Sequence, residues 1–523
     1  MRSSALKLMR AASSAAILAA MLALGARGVA QPAPAAPQTR WVLDNVTIVD
    51  TRTGHLARNM AILVDGGTIV RIGPARSLAV AGASRIDGHG AYVVPGYNDM
   101  HAHPLNPGSP EGGLQLMLVN GITGFRQMSG SPELLARRRA GNLLPPDTPA
   151  LLATPGNILI PPLVMPTPAA VVAEIDRQHE QGADFIKVVA LPPPAFMAGL
   201  AEARRLGLRF SGHLLPQNDI RQVSDQGMGP IEHLGPTDSI LLGCSSEEAA
   251  IRQAMAAAPA PPPPTIIPGP GGLAAVERAL ANPALNTSPA TFARVRRVIA
   301  SYSPERCHEL IQRFVSNQTW QVPTLIRIRT MQFGDDAAYR TDPNLRFIPA
   351  PRRQMWQDLA QAFSQRISAE ERRTFIDLFA LQLGLVRQMD AAGVPMMTGS
   401  DYGGGWEVAG YSLHQEFDLL AQAHVSPLHV LQMTTLNAAH FIGREAVMGT
   451  VEAGRNADLV LLSGNPATSV ANLHRIAAVI RGGHYYSRAA LDQLREGVAS
   501  RIAAQGQMAS AAPETIEVDG DGY

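Results

Sequence analysis

The chain has little cysteine and almost no net charge. Cys244 and Cys307 are the two cysteines among 523 residues, and neither belongs to a CxxC pair, so the sequence gives no sign of a zinc-ribbon site or a thioredoxin-like redox centre. Lysine plus arginine (44) balance aspartate plus glutamate (43), for a net charge of +1. This balance gives no electrostatic case for binding nucleic acid or an anionic membrane surface. Whether the cysteines pair is left open, because the sequence does not give their Cα distance.

Long apolar runs are also scarce, and the one near the N-terminus is short. Ala15–Leu24 follows three basic residues and precedes a small-x-small triplet that ends at Ala30. This order predicts a signal peptide in residues 1–30, cleaved after Ala30, and an unstructured linker in residues 31–40. The alternative is an uncleaved anchor helix, although the stretch is short for a membrane span. We therefore expect a periplasmic or secreted protein without a stable membrane span after cleavage.

Strand-rich segments lie on both sides of an alternating centre. Residues 41–94 and 447–490 carry short runs rich in valine and isoleucine, separated by Asp-Gly and Gly-Gly turn signals, which predict two parts of one small β-sandwich domain. Across residues 95–446, candidate strands alternate with helical stretches, which predicts a parallel α/β architecture. The candidate strands include residues 395–401, which end at Asp401, and the long charged stretch 355–392 is expected to be helical. An insertion at about residues 244–320, with an Ala/Pro-rich segment, interrupts this rhythm. Residues 491–523 are expected to form a C-terminal helix and tail.

Six side chains able to bind metal lie in or just after candidate strands. They are His101, His103, Lys187, His213, His233 and Asp401. Polar residues that converge from distant strand ends are typical of the active site of a (β/α)8 TIM barrel, which is the fold we expect for the centre of the chain. Four imidazoles with a lysine and a carboxylate indicate a two-metal hydrolytic centre. For any one histidine alone, a hydrogen-bonded core residue is the alternative.

The spacing and surroundings of these residues give each a chemical role. His101 and His103 are two residues apart, so both side chains lie on one face of a strand. Lys187 lies in the apolar run 185–189, where burial favours the neutral amine that carbon dioxide can convert to a metal-bridging carbamate. Alternatively it is an edge-strand lysine whose amine reaches water. Asp401 is placed to act as a general base or, alternatively, to cap a helix.

Together these features resemble the amidohydrolase superfamily, and in it the imidazolonepropionase-like and Xaa-Pro dipeptidase-like branch. The stretches that carry the resemblance include VVPGYNDMHAHP, VNGITGFRQMSG, TTLNAAHFIG and VEAGRNADLVLLSGNP. The resemblance covers nearly all of residues 41–486 and implies a binuclear metal centre. Imidazolonepropionase itself uses one metal ion, and Lys187 indicates the two-metal, peptidase-like branch instead.

The resemblance implies a role for each metal-binding residue. His101, His103 and Asp401 would hold the more buried of two divalent ions, with zinc expected, and His213 and His233 would hold the more exposed one. The carbamylated lysine, formed with carbon dioxide, would bridge the two ions together with a hydroxide. Asp401 would accept the hydroxide proton and pass it to the leaving group, and His233 is the second residue expected to take part in catalysis.

Substrate contacts are less defined by the sequence. His414, in the connection after Asp401, is expected to line the pocket, and Arg126 is a candidate substrate contact. The family commonly has an Arg-Asp pair where this chain has Arg126-Gln127, so contacts there depart from the pattern.

The sequence as a whole predicts an exported metal-dependent amidohydrolase whose partner is a small-molecule amide, a dipeptide or an N-acyl amino acid. The alternatives are hydrolysis of a cyclic amide, lactone or carbamate ester, or a non-catalytic periplasmic metal- or ligand-binding protein. No nucleic-acid partner is expected, and a homo-oligomer is left open.

Overall fold

The computed structural model of the chain describes residues 40–78, 80–106, 112–258 and 270–511. The predicted signal peptide, nearly all of the linker and most of the Ala/Pro-rich segment lie outside the described residues. The strands are β1 (Arg40–Val49), β2 (Leu56–Asp65), β3 (Thr68–Pro74), β4 (Ser84–Asp87), β5 (Tyr92–Pro95), β6 (Tyr97–Ala102), β7 (Ile122–Gln127), β8 (Ala150–Ala153), β9 (Phe185–Val188), β10 (Arg209–Gly212), β11 (Ile231–Glu232), β12 (Gln321–Val322), β13 (Leu459–Leu462), β14 (Ile476–Arg481) and β15 (His484–Ser487).

Helices occupy much of the remaining chain. The α-helices are α1 (Gly113–Val119), α2 (Pro132–Arg139), α3 (Pro168–Glu180), α4 (Pro193–Arg205), α5 (Ile220–Asp225), α6 (Ser239–Gly243), α7 (Glu248–Ala257), α8 (Pro270–Ala281), α9 (Pro289–Ala300), α10 (Pro304–Ser316), α11 (Leu325–Gln332), α12 (Ala337–Arg340), α13 (Ala350–Arg366), α14 (Ala369–Ala392), α15 (Tyr411–Gln422), α16 (Pro427–Thr434), α17 (Leu436–Phe441) and α18 (Arg488–Ala511). Short 3-10 helices span Pro283–Asn286, Pro343–Phe347 and Val470–His474. None of the described helices is both long enough and apolar enough to cross a membrane.

Both ends of the described chain contribute strands to one sheet. Its order is β15-β14-β13-β5-β1-β2-β3, with β4 also paired with β1. Alternate residues of β1 and β13, such as Trp41, Leu43, Leu459 and Leu461, bury one apolar face together, as expected for strands whose side chains alternate between faces. The strands of the described residues do not form a second sheet that faces this one. The β-sandwich and the domain boundaries therefore remain predictions.

The strands that carry the candidate site are parallel. They form a four-stranded sheet, β9-β10-β11-β12, and a three-stranded sheet, β6-β7-β8. Single parallel bridges join Met396 to Gln321 of β12 and Tyr402 to Ala102 of β6. The α/β architecture is therefore confirmed. The described strands stay in two sheets rather than one closed ring, so the barrel remains a prediction.

One expected strand differs from the structure. Residues 395–401 are not a strand: they make only a single bridge, at Met396, and Asp401 adopts a left-handed backbone conformation with φ 55°, which extended strands do not allow. Residues 355–392 are helical as expected, in two helices rather than one. Helix α13 ends at Arg366, and Ser368 starts α14 with a capping box in which its side chain and that of Glu371 bond each other's backbone N–H. Such a box is a strong helix start.

The two cysteines, whose pairing the sequence left open, form a disulfide. Cys244 follows α6 and Cys307 lies in α10, and their Cα atoms are 4.2 Å apart. The bridge therefore ties the C-terminal end of α6, where the predicted insertion region begins, to α10 inside that region. Both residues are fully buried in the main apolar core.

Candidate metal centre

The structure places five of the six sequence-predicted residues on parallel strands or directly after them. His101 is on β6, and His103 follows the last residue of that strand. Lys187 is on β9. His213 comes directly after β10, and His233 comes directly after β11. Parallel strands of an α/β fold present their carboxyl ends on one side, where ligands bind. Side chains that are up to three hundred positions apart in the sequence, from His101 to Asp401, therefore lie close together in one cluster.

Asp401 lies at the centre of this cluster. Its Oδ1 is 3.0 Å from His101 Nε2 and 3.1 Å from His103 Nε2, and its Oδ2 is 3.7 Å from His233 Nε2. The two-residue spacing of His101 and His103 therefore brings both imidazoles to one oxygen. The ring of His233 in turn lies 4.6 Å from that of His101 and 4.9 Å from that of His213, centroid to centroid.

The donor atoms fit a divalent metal ion. Three side chains offer one ligand atom each, and these atoms all lie within 4.8 Å of one another: His101, His233 and Asp401. Lys187 Nζ is buried and has no hydrogen-bond partner, although such atoms are normally satisfied in folded proteins, and His101 Nε2 is buried against Asp401 Oδ1. Imidazole and carboxylate together suit zinc and similar ions. The division of ligands between two ions remains a prediction, and the side chain of His103 is more exposed (18%) than that of His233 (6%).

The protonation states of the cluster at neutral pH favour metal binding. Burial lowers the pKa of His103 and places the pKa values of His213 and His233 well below their ordinary value. Burial alone would raise the pKa of Asp401, but the adjacent His101 and His233 outweigh it and hold that pKa well below its ordinary value. Burial therefore favours the neutral forms of His103, His213 and His233, and Asp401 is ionised; these are the forms that ligate metal.

Lys187 is buried and its amine loses its proton more readily than a lysine in water. Its side chain is buried among these groups, and burial lowers its pKa from 10.5 to about 8, against the opposing charges of Glu232 and Asp401. A neutral amine is the form that reacts with carbon dioxide, and a lowered pKa enlarges its fraction. Lys187 is also the only lysine in the sequence after Lys7, so any amine chemistry in the described residues is confined to this position.

Each of three histidines is held by a hydrogen bond at Nδ1. His101 Nδ1 is 2.7 Å from Glu232 Oε2, His233 Nδ1 is 2.6 Å from Thr324 Oγ1, and His103 Nδ1 is 3.0 Å from Ser129 Oγ. These bonds leave Nε2 of each ring toward Asp401. Outer partners of this kind orient metal-binding imidazoles and select their tautomer.

Two of the site residues and one partner adopt left-handed backbone conformations. His233 has φ 57°, Asp401 φ 55° and Thr324 φ 45°. For residues other than glycine this conformation carries strain, which often occurs at functional sites. Here the backbone turns sharply at His233, directly after β11, and at Asp401, and both side chains lie in the cluster.

Sequence reasoning missed a second layer of buried charged residues. Arg327, in α11, places Nε 3.4 Å from Asp401 Oδ2 and Nη1 3.6 Å from Glu407 Oε1. Burial raises the pKa of Glu407 to about 8 despite the nearby Arg327. Their positions in the sequence could have indicated them: Arg327 follows β12, another strand end, and Glu407 lies in the connection after Asp401.

The two candidate substrate contacts lie apart from the cluster. His414 is buried in α15, where Nε2 contacts the backbone oxygen of Asn120 at 2.9 Å and the ring packs against Tyr97 and Phe417. Arg126 is fully buried and donates to Glu232 rather than facing open space. A substrate-binding role for either residue stays a prediction, and these contacts favour a structural one.

Part of the chain matches a family of known sequences. The amidohydrolase family profile matches residues 382–485, a segment that contains Asp401. An imidazolonepropionase from Shouchella clausii (strain KSM-K16) is 44% identical over 62 residues, which is 11% of this chain and 14% of that enzyme. The matched segment is therefore a small part of that relative.

Comparison with solved structures extends the likeness to most of the chain. A bottromycin amidohydrolase gives a TM-score of 0.65 at 21% identity and covers 90% of this chain and 91% of its own. A Xaa-Pro dipeptidase with methionine bound in its active site gives a TM-score of 0.56 at 16% identity and covers 86% and 100%. At these identities the likeness establishes the fold alone. The resemblance drawn from the sequence is confirmed for the family: residues 382–485 form an amidohydrolase family domain, a short segment is similar to an imidazolonepropionase, and the fold is similar to that of a Xaa-Pro dipeptidase. The binuclear metal centre stays a prediction.

Proposed function

We propose that the chain is an exported, metal-dependent amidohydrolase that cleaves the amide bond of a dipeptide or an N-acyl amino acid. The observation that carries the proposal is the contact of one carboxylate, Asp401, with His101, His103 and His233, beside a buried lysine. A binding protein has no need of a carboxylate placed to accept a proton, so this arrangement favours catalysis.

Two divalent ions, with zinc the expected metal, would be held by the histidines, Asp401 and carbamylated Lys187. When bound, such ions polarise a carbonyl and lower the pKa of water. Asp401 would accept a proton from the attacking water and return it to the leaving nitrogen, so that a C–O bond forms and the C–N bond breaks. His233, whose Nε2 faces Asp401 Oδ2, orients that carboxylate.

The substrate class draws support from two similarities. One solved neighbour is a Xaa-Pro dipeptidase, and another is a prolidase in complex with N-methylphosphonate-L-proline. The runner-up is hydrolysis of a cyclic amide, lactone or carbamate ester, since the short sequence match is to an imidazolonepropionase. In either case the same Asp401 would shuttle the proton.

The same proposal includes fold and location. The parallel bridges of residues 396 and 402 connect the two parallel sheets on one side, which supports a (β/α)8 barrel. The Cys244–Cys307 disulfide supports export, because disulfides form mainly in oxidising compartments. Cleavage after Ala30 is the corresponding prediction, and N-terminal sequencing of the secreted form tests it.

The activity is tested with the mature chain, stripped of metal and then reloaded with zinc in bicarbonate buffer. We expect turnover of dipeptides or N-acyl amino acids only after reloading, and turnover strongly reduced in Asp401→Asn. Metal-dependent turnover confined to lactones or carbamate esters would favour the runner-up. Zinc binding without turnover of any of these classes would contradict an enzymatic role.

A further inference from the structure

A fully buried ion pair lies directly behind His101. Glu232 receives a hydrogen bond from Arg126 Nη2 at 2.6 Å on Oε1, and its Oε2 is 2.7 Å from His101 Nδ1. Arg126 Nε also donates to the backbone oxygen of Met100 at 2.7 Å. Neither charged side chain is measurably exposed. The pair thus connects β7 and β11 to the metal-facing histidine of β6.

Burial of these charges is costly, which argues for a specific role. Two buried ions recover their desolvation cost only with good geometry and further hydrogen bonds. Arg126 Nη1 has no hydrogen-bond partner, and its guanidinium lies between the rings of Phe185 and Phe441, 5.2 and 5.3 Å away. Apolar residues of similar volume would fill this space at no such cost. What they could not supply is an acceptor aimed at His101.

We propose that the Arg126–Glu232 pair is a positioning device that keeps the proton of His101 on Nδ1 and its Nε2 open toward the metal site. The proposal rests on the proposed metal centre. An ionised carboxylate only accepts hydrogen bonds, so the imidazole nitrogen facing Glu232 must carry hydrogen. Nε2 then keeps its lone pair and lies 3.0 Å from Asp401 Oδ1, with which it forms part of the candidate metal-binding group. Arg126 neutralises the carboxylate and fixes its rotation.

The substitution Glu232→Gln tests the proton placement. Arginine has no acceptor, so Arg126 would attract the amide oxygen and turn the amide NH2 toward His101 Nδ1. His101 would then accept at Nδ1 and carry its proton on Nε2, where a metal must bind. We expect zinc affinity to fall by roughly 10–100-fold, the usual effect of losing such an outer partner.

The double variant Glu232→Gln with Arg126→Met separates this role from simple structural support. Without the arginine, the amide can rotate and offer its oxygen to the Nδ1–H of His101. Zinc affinity should therefore recover by at least roughly tenfold relative to the single variant. A pair that only supports the fold predicts the opposite, because the double variant removes more of it.

A matched control is Asp238→Asn, which disrupts another buried carboxylate, one that receives two bonds of 2.9 Å from Arg294 outside the cluster. Should Glu232→Gln fail to fold, Glu232→Asp keeps the charge for Arg126 but withdraws the carboxylate from His101, and zinc affinity should fall likewise. Affinity is measured by competition with a chromophoric chelator on metal-free protein, so no turnover is needed.

Wild-type affinity in Glu232→Gln or Glu232→Asp, or no recovery in the double variant, would overturn the inference while leaving the metal centre intact. An equal loss in Asp238→Asn would overturn it too, because any buried pair would then have the same effect. A wild-type chain that binds no zinc would overturn the proposed metal centre and this inference with it.

Discussion

Replacing Asp401 with asparagine isolates its chemical role, because the structure predicts that the amide keeps the contacts of the carboxylate. Oδ1 faces the imidazole nitrogens of His101 and His103 at 3.0 and 3.1 Å, and Oδ2 faces Arg327 Nε at 3.4 Å. An amide can place its NH2 toward the imidazole lone pairs and its oxygen toward the arginine. The fold should therefore persist, and the ability to accept a proton should be lost.

The expected loss is large. General-base catalysis contributes about 10²–10⁴-fold to rate, and at about 1.4 kcal/mol for each tenfold step the barrier should rise by about 3–5 kcal/mol. We expect kcat to fall by this factor, with KM changed little and metal retained in part through the histidines and Lys187. The assay is steady-state kinetics on the best amide substrate, with metal content measured on the same sample.

A control for the charge change is Asp390→Asn, since Asp390 contacts His429 away from the cluster at 3.0 and 3.2 Å. Its kcat should equal that of the wild type. Near-normal turnover in Asp401→Asn at full metal occupancy would refute the general-base assignment. Complete loss of metal would instead show that Asp401 acts mainly as a ligand.

Three further predictions concern other parts of the site and fold. Lys187→Ala removes the bridging group, so metal content and turnover should fall together and be partly restored by added formate; full metal occupancy would contradict a bridging role. In metal-free, carbon-dioxide-free buffer, the folded pKa of Lys187 of about 8 lies below its ordinary value of 10.5. The unfolded chain then binds more protons between these values, so the free energy of unfolding should rise with pH, by roughly 2 kcal/mol from pH 8 to pH 10, and Lys187→Met should abolish this slope in denaturant titrations. Removing the Cys244–Cys307 bridge, which spans a sequence separation of 63, by alanine substitution of both residues should lower the free energy of unfolding by about 4 kcal/mol if loop entropy dominates; an unchanged denaturation midpoint would contradict that.

The sequence predicted the primary cluster well because a local pattern carries it. His101, Lys187, His213 and His233 each interrupt or end an apolar run, and parallel strands necessarily bring such positions to one edge. The spacing of His101 and His103 fixed their common face without any knowledge of the rest of the fold. Local rules were therefore sufficient for the residues that the structure brings together.

The surrounding layer could not be predicted in the same way. Glu232 contacts Arg126 and His101 across sequence separations of 106 and 131 residues, and no local pattern encodes such a meeting. The sequence therefore suggested Arg126 as a substrate contact, although the structure buries this residue behind His101. Residues 395–401 were similarly misassigned as a strand, since an apolar run does not reveal the left-handed turn at Asp401.

We propose that one cluster holds two divalent ions bridged by a carbamylated lysine. The decisive measurement is a crystal structure of the zinc-loaded chain, grown with bicarbonate and measured at the zinc absorption edge. We expect two anomalous peaks, one beside His101, His103 and Asp401 and the other beside His213 and His233, with carbamate density on Lys187 between them. Peaks elsewhere, or a single peak beside an unmodified Lys187, would contradict it.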